Sequence, residues 1–285
     1  MSYKDRAPTP EELSKVLDFA DLREKVIVSG LALGAFREET FSKLQYRHVR
    51  KELENNIIPI HVHVEAELTK GMYGDYDTFL GAEAAQYLKL YMEERKLGNI
   101  MDKTGRPPET LTNESPLIRD ASSYTPKSIT SKQIRRIVHV LYLKAGLIKQ
   151  NNVRFYDVRT HSLRKFFKTH LTALGMQADY IDYLMGHIVD TYQDIQSLGI
   201  EPLRKAYHAS GLCIRKKTAV SKIDALKEII RAYGMNPEQV LSQKALADGA
   251  TTYKSSEDYE NEQLGILREE LKQLIQQAVT GEKSK

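Results

Sequence analysis

Apolar and polar positions alternate with two different periods along this chain. PTPEELSKVLDFA (8–20) has a capping threonine, a first-turn proline and two early glutamates, which predicts a helix. Residues 22–36 are apolar enough for a buried helix. IIPIHVHVEAEL (57–68) switches to period two, with Ile60, Val62 and Val64 against His61, His63 and Glu65. That predicts a half-buried strand, and the glycines and aromatics of KGMYGDYDTFL (70–80) predict a short hairpin. GAEAAQYLKLYMEERKLG (81–98) returns to helical spacing and stops at Gly98. Residues 99–128 are rich in Pro, Ser, Thr and Asn and read as a long exposed connection. SITSKQIRRIVHVLYLKAGL (128–147) is amphipathic, with Ile134, Ile137, Val138 and Leu141 inward and Lys132, Arg135 and Arg136 outward. RTHSLRKFFKTHLTALGM (159–176), DYIDYLMGH (179–187) and LRKAYHASGL (203–212) add further helices. The expected class is mainly α with a small antiparallel β element.

Beyond about residue 220 the texture changes. Two helices are expected at 221–247, then a polar linker, then Leu264, Leu267, Leu271, Leu274 and Ala278 at 3–4 spacing. That seam is about two heptads long, marginal as a coiled coil but able to support self-association. We therefore expect two domains, residues 1–218 and a C-terminal helical extension, 219–285.

The net charge of +4 is unremarkable for 285 residues. Its distribution is not. From Lys127 to His170 there are eleven Lys or Arg and one acid, Asp157, a local excess suited to a polyanion. The single cysteine, Cys213, permits no intrachain disulfide, as expected of a reducing cytoplasm. The polar N-terminus lacks a signal-peptide core, and the longest nearly apolar run, 26–36, is too short to span a bilayer, so no membrane association is expected.

The candidate chemistry starts with HSLRKFF (161–167). His161 and Arg164, three apart, share one helix face. Arg37 precedes a polar turn-helix, Lys70 stands in the hairpin, and His187 ends YLMGH. Two arginines can hold the non-bridging oxygens of one phosphodiester and the charge of its pentacoordinate transition state. A lysine can protonate a leaving oxygen, a histidine can assist proton transfer, and a tyrosine phenol can attack phosphorus. His61 and His63 share a strand face but lack a third ligand, so no metal is expected.

This ordered set resembles the tyrosine recombinase (phage integrase) family, in its archaeal virus and plasmid branch, over roughly residues 10–215. The resemblance implies a recombinase-type catalytic domain and a metal-independent, cofactor-free DNA integrase working through a 3′-phosphotyrosine. It implies Arg37, Lys70, His161, Arg164 and His187 as catalytic residues. Lys132, Arg135, Arg136, Arg159, Lys165 and Lys168 are expected on double-stranded DNA, with self-association into a tetramer there. Thr40 stands where the family usually has Glu, and Gln196 where it usually has its nucleophile. Tyr207 is the preferred nucleophile, after a Gly-Ile-Glu-Pro break that adds reach, and Tyr192 the alternative. Arg37 comes too early for the family's separate core-binding domain, so a catalytic piece or minimal form is expected. A type IB topoisomerase, or an inactive DNA-binding remnant, are the competing expectations.

Overall fold

The computed structural model describes residues 5–69, 74–98, 107–149, 156–187 and 195–215. Contacts divide the chain after Arg215, and all the described residues belong to the first unit. The expected C-terminal helices and leucine seam lie outside the described residues, as do Lys70 and Tyr192.

The first helix, α1 (Pro10–Asp18), begins as its sequence demands. The Thr9 hydroxyl accepts from the Glu12 amide at 3.2 Å, and the Glu12 carboxylate accepts from the Thr9 amide at 2.9 Å, a reciprocal cap. α2 (Leu22–Leu33) is buried continuously from Val26 to Leu33. It packs against α5 (Ala82–Leu97) and α7 (Thr160–Ala173) and is the spine of the core. After α2 the chain forms α3 (Glu38–Lys43) and α4 (Arg47–Glu54).

The period-two stretch becomes β1 (Ile60–Val64), paired antiparallel with β2 (Tyr76–Leu80) in the register Ile60↔Leu80 to Val64↔Tyr76. Ile60, Val62 and Val64 are fully buried, as their spacing predicts. α6 (Ser131–Lys144), α8 (Ala178–Leu184) and α9 (Ile200–Ser210) complete the described body. It is mainly α with one two-stranded antiparallel sheet.

One expectation needs correction. Where described, the connection before α6 is not simply exposed: Leu117, Ile118 and Arg119 are buried. Arg119 pairs with Glu109, which Arg95 also holds at 2.8 Å, and Arg119 donates to the carbonyls of Ser123 and Tyr124. Paired charges satisfy the buried loop where apolar side chains are few. Arg119 is therefore a loop staple.

Candidate active site

An open cleft of about 300 Å³ is lined by Arg37, His161, Arg164, Lys165, Lys168 and His187, with Ala7, Thr169 and Met185. Among the described residues its lining holds four Lys or Arg, two histidines and no carboxylate. Four of the residues expected to be catalytic, drawn from three distant stretches of sequence, meet here.

Each is placed by a local device. After α2 ends, Ala35 takes a left-handed turn (φ 54°) and Arg37 follows as the residue capping α3. A left-handed alanine costs on the order of 1 kcal/mol or more. The Arg164 guanidinium donates to the Ala35 carbonyl and helps hold that turn. Arg164 also donates to the Met185 carbonyl at 2.8 Å. It is thus fixed between the Arg37 loop and the end of α8, and its remaining N–H groups are left for an anion. His161 and Lys165 stand one turn apart on α7. His187 follows Gly186, whose φ of 64° and close approach to the Tyr76 ring, 2.7 Å from where a Cβ would stand, admit only glycine.

The histidine tautomer follows from its partners. Nδ1 of His187 lies 3.0 Å from Asp182 Oδ1, and Arg164 donates towards Nε2 at 3.3 Å. Nδ1 therefore carries the proton and Nε2 offers a lone pair. Asp182 also accepts from Lys168 at 2.6 Å. Burial pushes the Asp182 carboxyl up, but Lys168 and His187 outweigh it and hold it below the usual aspartate range. α8 is itself tied to the sheet: buried Asp77 accepts from Tyr183 at 2.6 Å and from His61 and His63 at 2.7 and 2.9 Å. Those two histidines serve this carboxylate. Among the described residues no group of three or more His, Cys, Asp or Glu is placed to hold a metal ion.

The two cleft arginines lie close enough to act on each other's charge. Burial, then the nearby Arg37 charge, brings the Arg164 guanidinium down to about 10, still protonated at neutral pH. Burial and then Arg164 hold His161 below the usual histidine value. Like charges held this close favour an anion between them. The Arg37 side chain makes no hydrogen bond or ion pair among the described residues. The Tyr76 ring lies beneath Gly186, and its hydroxyl is buried without a hydrogen-bond partner among the described residues.

Tyr207 departs from expectation. It is 2% exposed, its hydroxyl donates to the Leu33 carbonyl at 2.7 Å, and its ring packs with Phe79 and Phe167. Arg204, on the same helix, pairs with Glu52 on α4. Tyr207 is a core residue of a docked helix and does not line the cleft. No tyrosine lines the cleft among the described residues. Lys132, Arg135 and Arg136 are exposed on α6, as predicted, with Arg135 3.7 Å from Glu38. Arg159 precedes α7 and pairs with Asp5. Thr40, in the family's usual Glu position, is buried and donates to the Leu68 carbonyl at 3.2 Å. Sequence reasoning gave that bond no weight, because nothing in the sequence marks a threonine's partner.

No family model matches the sequence. Among solved structures, the chain is similar to a XerA recombinase, with 20% identity and a TM-score of 0.47 over 80% of this chain and 65% of that one. It is similar to the integrase of mycobacterium phage Brujita, at 14% identity and a TM-score of 0.49 over 74% and 59%. It is also similar to the integrase of transposon Tn1549, solved in complex with transposon right-end DNA, at 14% and 0.42 over 81% and 67%. A human protein, probable phospholipid-transporting ATPase IIB, aligns at 23% identity over 187 residues, 64% of this chain. The chain spans 12% of that protein's length, and among the described residues no helix is long and apolar enough to cross a membrane. None of these likenesses fixes what the cleft does; its residues have to.

Proposed function

We propose that this chain is a site-specific DNA recombinase of the tyrosine type. The observation that carries it is the cleft itself, where Arg37, His161, Arg164 and His187 converge with two lysines and, among the described residues, no carboxylate in the lining. Such a site suits a phosphodiester, whose charge spreads over non-bridging oxygens. Arg37 and Arg164 hold those oxygens and stabilise the added charge of the pentacoordinate state. A tyrosine phenol attacks phosphorus, its proton passing to an imidazole of the cleft. The P–O5′ bond breaks as the new O–P bond forms, and Lys70 protonates the leaving 5′-oxygen. A 5′-hydroxyl from a partner strand reverses the step and releases the tyrosine. With Tyr207 in the core, Tyr192 is the nucleophile we propose, five residues beyond His187.

The finer parts of the proposal rest on the resemblance: the archaeal virus or plasmid branch, genome integration inside a host cell, and a tetramer on DNA. Lys132, Arg135 and Arg136, exposed on α6, and Arg159, Lys165 and Lys168 around the cleft are the proposed contacts to DNA phosphates.

A nicked duplex that loses its leaving strand tests the chemistry. The expected product is a denaturant-resistant protein–DNA adduct formed in EDTA, whose linked peptide contains Tyr192. No adduct would leave only a DNA-binding protein. An adduct that relaxes supercoiled DNA without ever joining strands of two duplexes would make it a type IB topoisomerase.

A further inference from the structure

The N-terminal arm, residues 5–9, lies along the cationic face of α7. Its one acidic side chain is turned inward. Asp5 is 8% exposed. Lys165 donates to its carboxylate and, at 2.7 Å, to its backbone carbonyl. Arg159 Nη2 lies 3.2 Å from the second carboxylate oxygen. Ala7, two residues on, lines the cleft. Arg6 points the other way, to Glu12 at 2.6 Å and Asp157 at 3.1 Å. The arm is thus pinned at several points across the mouth of the cleft.

Two cations converging on one carboxylate make the arrangement that also binds a phosphate monoanion. Lys165 belongs both to this pair and to the cleft lining, so the pair is a neighbouring seat on the same surface. A carboxylate and a phosphate cannot share one pair of cations.

We infer that Arg159 and Lys165 form a second DNA-phosphate subsite beside the cleft, and that Asp5 fills it in cis until DNA displaces it. The inference rests on the recombinase reading above. The arm then acts as a built-in competitor. Only the fraction of molecules with Asp5 released binds DNA at full strength, and the apparent affinity is lowered by that fraction. The same arm shields two cations that would otherwise hold any polyanion, so it suppresses binding to DNA that cannot fill both seats.

The test is a duplex-binding titration at fixed salt by fluorescence anisotropy, with full-length protein. Asp5→Asn keeps the shape and removes the charge. It should bind about three- to tenfold tighter than the unaltered protein, with a melting temperature somewhat lowered by loss of the two ion pairs and the fold otherwise intact. The same substitution in an Arg159→Gln, Lys165→Gln background should give no gain, because the contested seat is gone. A gain that persists in that background is a bulk charge effect and overturns the subsite. So does normal DNA binding without any gain from Asp5→Asn. Failure of every variant to bind DNA would overturn both the subsite and the recombinase reading.

Discussion

The Tyr207 hydroxyl donates to the carbonyl of Leu33, at the last turn of α2, over 2.7 Å. Helix ends leave carbonyls without intrahelical partners, and a buried one must be satisfied from elsewhere. Tyr207 supplies that bond from α9, so the phenol that looks available in sequence is committed to the core.

Tyr207→Phe should therefore cost about 1–3 kcal/mol of stability, by orphaning the Leu33 carbonyl, and leave adduct formation intact. Tyr192→Phe should do the reverse. Denaturant melts and trapping on the nicked duplex measure both. Loss of the adduct in Tyr207→Phe with an unchanged melt would return the nucleophile to α9.

The two arginines should separate by stability. Both Arg37→Ala and Arg164→Ala are expected to slow cleavage by at least about a hundredfold, since each removes a charged donor to the transition state. Arg164 also holds the carbonyls of Ala35 and Met185, and its loss should cost about 2–4 kcal/mol. Arg37 has no such bond among the described residues, and its loss should stay within about 0.5 kcal/mol. Equal destabilisation by the two would mean that Arg37 is a structural residue.

His161 gives a pH signature. Burial, then Arg164, lowers its pKa from the ordinary 6.5, so the neutral ring is favoured in the folded state. Its contribution to stability is complete above the unfolded value and is lost as pH falls through the lower folded value. His170 is also held below the ordinary value, by burial, so the assignment rests on the variant: an NMR titration should show an imidazole with a midpoint below about 6.5 that disappears in His161→Gln. A midpoint above that value would contradict the crowding of cations around it.

Much of this was legible before the fold. The helix starting at Pro10, the strand with Ile60, Val62 and Val64 inward, and the two faces of α6 follow from local chemistry and periodicity, which sequence displays directly. HSLR and LMGH could be paired because each is a short contiguous motif, the first inside α7 and the second at the end of α8. The buried loop at Leu117–Arg119 was not legible, because its ion pairs bring Glu109 against Arg95 and Arg119, contacts with no period. Tyr207 misled for a related reason. Its suitability was judged by tether length from His187, whereas its place is set by Phe79, Phe167 and Leu33, all distant in sequence. Asp5 carried no motif at all.

The last prediction concerns Lys70, through the segment that leads to it. The short 3₁₀ turn Ala66–Leu68 is held from several sides. Thr40 donates to the Leu68 carbonyl at 3.2 Å, Asp75 accepts from the Ala66 amide at 2.8 Å, and Arg47 pairs with Glu65 just before the turn. α3, which begins beside Arg37, is thereby bonded to a residue two positions before Lys70. If Lys70 protonates the leaving 5′-oxygen, Lys70→Ala should slow cleavage by about 10²–10⁴-fold. Replacing that bridging oxygen with sulfur removes the need for the proton, because a thiol ionises near pH 8.5, roughly, and leaves as the thiolate. Lys70→Ala should then recover to within about tenfold of the unaltered protein, while Arg37→Ala stays slow on both substrates. Thr40→Val, which removes one buried hydrogen bond, should cost about 1 kcal/mol and show a smaller defect that sulfur also relieves. If Lys70→Ala remains as slow with sulfur as with oxygen, the lysine holds the phosphate instead of protonating the leaving group, and the proton must come from one of the two histidines in the cleft.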